Sequence, residues 1–355
     1  MVKQRPPGMM DVARLAQVSH QTVSRVLNDS DKVAPATRAR VEEAIAELGY
    51  RRNSVARALV TRRSGILGVI APAEAAYGTS SMLLAIEVAA RQAGYYTGVA
   101  PILVWNEESL YESVDHLLSL AVEALVVIAP YRVKLADDVI RKVNAPVVVV
   151  SSEVSSHADG VFVAQIDQDE AVGQAMSHLF DLGHTKIAHI EGPQDWSEGR
   201  ARKQVWEKCL ADRQIPQQKV YGGAWDGETG YKSATRMLEG DVPTAIFAAN
   251  DVLAIGAVSA ITDAGYSVPE DISVVGFDDI PGVSYALPAL TTVRQNFERL
   301  GDAVIGVVQR AIKGEQIDPV AVVGADLVVR SSTAPPRTRS LSGNSDYACS
   351  PRRRG

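Results

Sequence analysis

Met10-Asp11-Val12-Ala13-Arg14-Leu15-Ala16, then Gln17-Val18-Ser19, then His20-Gln21-Thr22-Val23-Ser24-Arg25-Val26-Leu27-Asn28: two short helical patterns separated by a three-residue turn. In the first, Val12, Leu15 and Ala16 share one side; in the second, Val23, Val26 and Leu27 do. Ser19 is placed as an N-cap, its hydroxyl accepting from first-turn amides. Two short helices joined in this way form a helix-turn-helix unit. The outward face of the second helix carries His20, Gln21, Ser24 and Arg25. Such side chains read base edges in the major groove of DNA, Arg pairing with guanine and Gln with adenine. Ser19, Thr22 and Asn28 flank them, where phosphate contacts would fix register. The competing reading is an ordinary three-helix domain with a polar exposed face.

Working outward, Pro35 opens a third helix whose stripe is Val41, Ala44, Ile45 and Leu48, and Gly49 ends it. Asn53 begins a further pattern that reaches about Thr61 and runs into Arg62-Arg63. Two turns fall below the roughly 12–15 residues at which isolated helices become marginal, so this segment folds only if something holds it.

The net charge of −6 hides a split: residues 1–64 carry +6, residues 331–355 carry +4, and the rest carries −16. A basic head on an acidic body points to a polyanion partner for the head alone. After Ser64 short β-branched runs (Ile66–Ile70, Leu125–Ile128, Val147–Val150, Lys186–Ile190, Ala245–Ala248, Ser273–Gly276) alternate with amphipathic stretches, the first at Met82–Ala93. That alternation implies βαβ units and parallel sheets, and some 265 residues suit two lobes better than one sheet. The last residues, 331–355, are rich in Ser, Pro, Arg and Gly and read as a disordered tail without a leucine heptad. The expected divisions are therefore 1–51, 52–64, 65–330 and 331–355.

No apolar run is long enough to span a bilayer, and the polar N-terminus is unlike a signal peptide. Cys209 and Cys349 cannot build a disulfide framework. The expectation is a soluble cytoplasmic protein. An enzyme finds no support, because no dinucleotide, P-loop or nucleophile-elbow glycine motif is present. His178, His184 and His189 match no zinc spacing, so no metal and no cofactor are expected.

Asp11-Val12-Ala13, Val18-Ser19, Thr22-Val23-Ser24-Arg25-Val26-Leu27-Asn28, Thr37-Arg38, Leu48-Gly49-Tyr50 and Asn53-x-x-Ala56-Arg57-x-Leu59 together closely resemble the lactose-repressor (LacI/GalR) family of bacterial transcription regulators. The resemblance covers about residues 9–330. It implies that His20, Gln21 and Arg25 read bases in a pseudo-palindromic operator bound by a homodimer. It also implies a hinge helix at Asn53, Ala56 and Leu59, with Leu59 wedged into the minor groove. Three positions depart from the family pattern: Gly8 caps the first helix, Gln17 stands where Gly is common, and Arg52 replaces a proline.

For the body the resemblance implies a type I periplasmic-binding-protein fold, an α/β domain of two lobes that binds the effector and dimerises. Ligands then sit at the carboxyl ends of strands. Asp278 and Asn250 follow strands, Arg202 lies early in the helix after Gly192-Pro193, and Trp225 sits in a loop before a helix. By the resemblance these four contact the effector, and Tyr77 supplies the other lobe's contact; Gln295, Phe297 and Trp196 are weaker candidates. A carboxylate, an amide and a guanidinium around an indole face suit a small carbohydrate. The function implied is a repressor released by a sugar inducer. A purine-like co-repressor stays open as an alternative, as does, more remotely, a transport-type sugar-binding protein.

Overall fold

The computed structural model describes residues 7–27, 32–50, 63–74, 76–131, 143–153 and 160–337. The chain divides into two units, Met1–Ser64 and Gly65–Gly355.

The first unit holds α1 (Met9–Leu15), α2 (His20–Leu27) and α3 (Pro35–Leu48). Val12, Val23 and Val41 are fully buried at its centre, with Ala13, Ala16, Val26, Ala44 and Tyr50 around them. Gly8 caps α1, its backbone N–H donating to the Asp11 carboxylate at 2.8 Å. Gln17 takes φ 53°, so the turn does require a side chain in the left-handed region, where glycine would be unstrained. Ser19 Oγ accepts from the Thr22 N–H at 3.1 Å, the expected cap of α2. Pro35 opens α3, and Gly49 closes it at φ 60°.

The second unit contains two six-stranded sheets. Its elements run β1 (Ile66–Pro72), α4 (Tyr77–Gln92), β2 (Tyr96–Ile102), α5 (Glu107–Ser119), β3 (Ala124–Ile128), β4 (Val147–Val150), β5 (Val161–Ile166) and α6 (Gln168–Asp181). They continue with β6 (Ile187–Glu191), α7 (Ser197–Asp212), β7 (Val220–Gly222), α8 (Gly227–Leu238), β8 (Ala245–Ala248), α9 (Asp251–Asp263) and β9 (Ser273–Phe277). The last are β10 (Thr291–Gln295), α10 (Phe297–Ile312), β11 (Val320–Val323) and β12 (Ala325–Val328). The N-terminal sheet has the order β11-β5-β4-β3-β1-β2, and the C-terminal sheet β12-β10-β9-β8-β6-β7. Central strands β3 and β9 are buried at every position, as parallel strands covered on both faces must be.

The chain passes between the lobes three times: after β5, after β10, and at Gly324 between β11 and β12. Such crossings bring the carboxyl ends of both sheets toward one cleft. The sheets are not wholly parallel, because β12 pairs antiparallel with β10.

The sequence pattern expects a helix from Met82, but α4 begins at Tyr77, which puts Tyr77 and Thr79 in its first turns. Residues 331–337, placed by the sequence pattern in a disordered tail, are ordered on the body. They form a strap docked on the C-terminal lobe. Ser332 Oγ accepts from Thr291 N–H at 2.8 Å and donates to the Val274 carbonyl at 2.6 Å, while Val274 N–H donates to the Ser332 carbonyl. Ala334 bonds to Ser273 and His184, and Arg337 to Asp271. Polar composition suggests disorder, but here the polar groups satisfy backbone at the end of the sheet. Ser332→Ala strands two buried backbone groups, each worth about 1–3 kcal/mol when unpaired. The melting temperature of the full chain is expected to fall by several degrees; an unchanged value would contradict the docking.

Candidate functional site

In the head, the apolar side of α2 is spent on the core, with Val23 and Val26 buried. Ser19, His20, Gln21 and Arg25 are exposed, and Thr22 and Ser24 are half-buried beside them. The structure thus presents the sequence-selected side chains on one outward face. Asn28, Asn53, Ala56 and Leu59 lie outside the described residues.

In the body, a cavity of about 200 Å³ opens between the lobes and is lined by all five sequence-selected residues, Tyr77, Arg202, Trp225, Asn250 and Asp278. Trp196 and Gln295 line it too, while Phe297 stands behind Tyr77, ring to ring at 6.2 Å in an edge-on contact. Sequence reasoning missed Glu198, Met82 and Val252. Glu198 was discoverable, since it lies one turn before Arg202 on α7.

Arg202 is 4% exposed, and the protein uses it heavily. Its Nε donates to Gln168 at 3.1 Å, its Nη1 to the Ala249 carbonyl at 2.5 Å, and its Nη2 lies 3.8 Å from Asp278. The guanidinium sits 3.7 Å over the Phe277 ring and 5.7 Å from the Trp225 ring. Desolvated cation–π contact of this kind contributes about 2 kcal/mol. Asp278 Oδ1 accepts from Gln295 Nε2 at 2.5 Å.

Asn250 acts first as a cap: its Oδ1 accepts from Leu253 N–H at 2.8 Å, and its Nδ2 donates to the Trp225 carbonyl at 3.3 Å. It thereby fixes the loop that carries the indole. Gly192 lies flat under that indole, where a Cβ would come within 2.2 Å of the ring. The Trp225 indole N–H is buried without a partner.

Burial is the first cause of the shifted acids here. It raises Asp278 to about 6, against the opposing pull of Arg202 and the Gln295 amide. It raises Asp251 to about 7, helped by the charge of Asp278 and opposed by the Thr292 hydroxyl and the Ile280 N–H. Glu198 is pushed up and Arg202 down for the same reason. Glu198 keeps partial solvent exposure of the residue as a whole, yet its carboxyl is enclosed.

One rim of the cleft is shut by contacts between lobes. Tyr131 forms an antiparallel bridge with Trp196, the Ser197 N–H donates to the Pro130 carbonyl at 2.5 Å, and Arg200 pairs with Glu153 at 2.7 Å. The rings of Tyr131, Trp196 and Trp225 touch in sequence at 5.3 and 5.8 Å. The three histidines bond within the protein: His178 to Thr333, His184 to Thr244 and Ser273, His189 to the Phe247 carbonyl. Among the described residues no helix is long and apolar enough to cross a membrane.

A helix-turn-helix head with a polar reading face, joined to a two-lobed body with a ligand-sized cleft, defines a ligand-responsive DNA-binding regulator. The comparisons agree. Residues 8–53 match the bacterial regulatory proteins of the lacI family, and residues 176–333 match the periplasmic binding protein-like domain. The lactose operon repressor of Escherichia coli (strain K12) is 36% identical over 346 residues, 95% of this chain and 94% of the repressor. The lac repressor dimer bound to operator and the anti-inducer ONPF superposes with a TM-score of 0.81 at 32% identity, covering 93% of this chain and 100% of that one. A complex of the transcriptional regulator CelR with cellobiose gives 0.68 at 28% identity, over 92% and 99% of the two chains. The chain belongs to the lacI family of bacterial regulatory proteins.

A carboxylic acid whose pKa is raised by folding stabilises the fold in its protonated form, so its contribution is lost as pH rises through the raised value. For Asp251 that window runs from its ordinary 3.8 to about 7. The stability of the wild type relative to Asp251→Asn is expected to fall as pH rises across this window and to level off above it. Urea denaturation of both proteins at fixed ionic strength checks this, and a pH-independent difference would refute it.

Proposed function

We propose that this chain is a homodimeric transcriptional repressor that leaves its operator when a small carbohydrate enters the cleft. His20, Gln21, Ser24 and Arg25 read base edges, while Ser19, Thr22 and Asn28 hold phosphates. Asn53, Ala56 and Leu59 form the hinge, with Leu59 as the minor-groove wedge. The protein acts in the cytoplasm by binding alone and catalyses no reaction.

The observation that carries the sugar is the set of groups around one cavity: the Asp278 carboxylate and Gln295 amide beside the Trp225 indole, with Tyr77 opposite. The polar groups suit vicinal hydroxyls, and the indole suits the C–H face of a pyranose. Asn250 and Arg202 serve chiefly by holding Trp225 and Asp278 in place. Cellobiose in a structural neighbour supports a carbohydrate ligand. The lac repressor dimer on its operator supports the dimer and the DNA. On the C-terminal lobe, Ile255, Tyr285 and Leu287 are exposed and offer an apolar face for the second copy.

Release follows from linkage. Sugar rearranges the lobes, separates the paired hinges and unfolds the element carrying Leu59. A co-repressor in the same cleft would act with the opposite sign, strengthening operator binding.

Two substitutions separate the halves of this mechanism. Arg25→Ala should relax base preference at one operator position, at a cost of about 1–3 kcal/mol, read by binding to a set of single-base operator variants. Unaltered sequence preference would remove Arg25 from the reading face. Asp278→Ala should bind operator normally yet remain bound at sugar concentrations that release the wild type. Release at unchanged sugar concentration would overturn the cleft assignment.

A further inference from the structure

Among the described residues the cleft is short of positive charge. Of the residues that line it, Glu198 and Asp278 are acids and Arg202 is the base. Arg202 is already committed: Gln168, the Ala249 carbonyl and Asp278 take its three nitrogens, and Phe277 and Trp225 take its ring contacts. Asp251, fully buried and bonded to Thr292 and Ile280, adds a third acid, which feels the charge of Asp278. Among the described residues Glu198 forms no salt bridge; the Ser197 hydroxyl donates to it at 3.0 Å, Ser152 bonds to it as well, and it feels the charge of Arg202.

Glu198 also stands in the first turn of α7. The amino end of a helix attracts anions, and phosphate-binding proteins place the ligand there. In this chain the protein's own carboxylate occupies that position. The hydrogen-bond inventory points the same way. The carboxylates of Glu198 and Asp278 are acceptors, and the Trp225 indole N–H is a buried donor without a partner. Two carboxylates at the cavity favour a ligand that brings donors to them. Hydroxyls do so, an ammonium does so, and a phosphate dianion or a uronate carboxylate brings only acceptors.

We propose that the effector is a saccharide free of phosphate and carboxylate, and that Glu198 is the residue that enforces this selection. The inference rests on the carbohydrate reading above and narrows it to neutral and amino sugars. Glu198 acts as a charge filter: it accepts hydrogen bonds from a neutral ring and repels an anionic one, a use of like charge against the wrong partner. Among the described residues that line the cleft, Arg202, already paired, is the one cation.

The test uses the full-length protein and calorimetric titration with glucose, galactose and cellobiose, beside glucose 6-phosphate, galactose 6-phosphate, glucuronate, galacturonate and glucosamine. For whichever neutral sugar binds, its anionic counterpart is expected to bind at least roughly tenfold more weakly, the scale of one unfavourable charge contact. Glu198→Gln keeps size and hydrogen bonding and is expected to narrow that gap severalfold, with an unchanged melting temperature. An anionic sugar binding as tightly as its neutral parent overturns the proposal, as does a gap that Glu198→Gln leaves intact. The wild-type ratio decides the matter even if the variant folds poorly. Binding of adenine, guanine or hypoxanthine with no response to any saccharide refutes the carbohydrate reading itself, a result distinct from the wrong choice among sugars.

Discussion

The turn that follows β9 constrains the rest of the body. Asp278 and Asp279 take φ values of 108° and 53°, and a non-glycine residue at 108° lies outside the left-handed well, at a cost of order 1–3 kcal/mol. The strain is held by bonds on every side. Asp278 N–H donates to the Val293 carbonyl at 2.8 Å, and Ile280 N–H donates to Asp251 at 2.8 Å. The Asp279 carboxylate is clamped between Arg294 and Arg330, each at 2.6 Å. Gly276 permits the closest of these approaches, since a Cβ there would lie 2.2 Å from the Asp251 carboxylate. The turn aims Asp278 into the cleft, and Arg330 leads directly into the strap of residues 331–337.

In the proposed function the same geometry makes the site a sensor. Asp278 is buried beside a guanidinium that the protein has largely consumed, so its charge is incompletely compensated. A buried acceptor in that state gains from any ligand that brings hydroxyl donors. The gain is expressed between lobes, because Tyr77 and Met82 face the cavity from one and Asp278, Trp225 and Glu198 from the other. The contacts of Trp196 with both Tyr131 and Trp225 place the indole one step from the interlobe bridge. Motion of the lobes thus has a physical link to occupancy of the cleft.

Some of this was legible in the sequence, for stated reasons. The head was readable because a cap, an apolar stripe and a polar face coincide within nineteen residues. Buried parallel strands such as β3 and β9 announce themselves as β-branched runs. Strand β2 does not, since an edge strand tolerates Gly98 and Pro101, and β10 does not, since Thr291, Thr292 and Gln295 are buried polar residues. The five cleft residues were reached from the family resemblance and strand ends. What stayed hidden was the division of labour among them: that Asn250 caps a helix and that Arg202 serves the protein's own groups follows from partners far apart in the chain. Glu198 stayed hidden because one acid in a helix's first turn ordinarily reads as dipole compensation.

The charge split, +6 against −16, fits the proposed division between a head that meets a polyanion and a body that avoids anions. The central claim is that one equilibrium couples the cleft to the operator, and reciprocity tests it most directly. Sugar affinity is measured on free protein and on protein saturated with operator, and operator affinity is measured with and without saturating sugar. Coupling through the hinge predicts that each ligand weakens the other by the same factor, typically about 5–150-fold. Equal sugar affinity in both states, or tighter sugar binding on the operator complex, would contradict it.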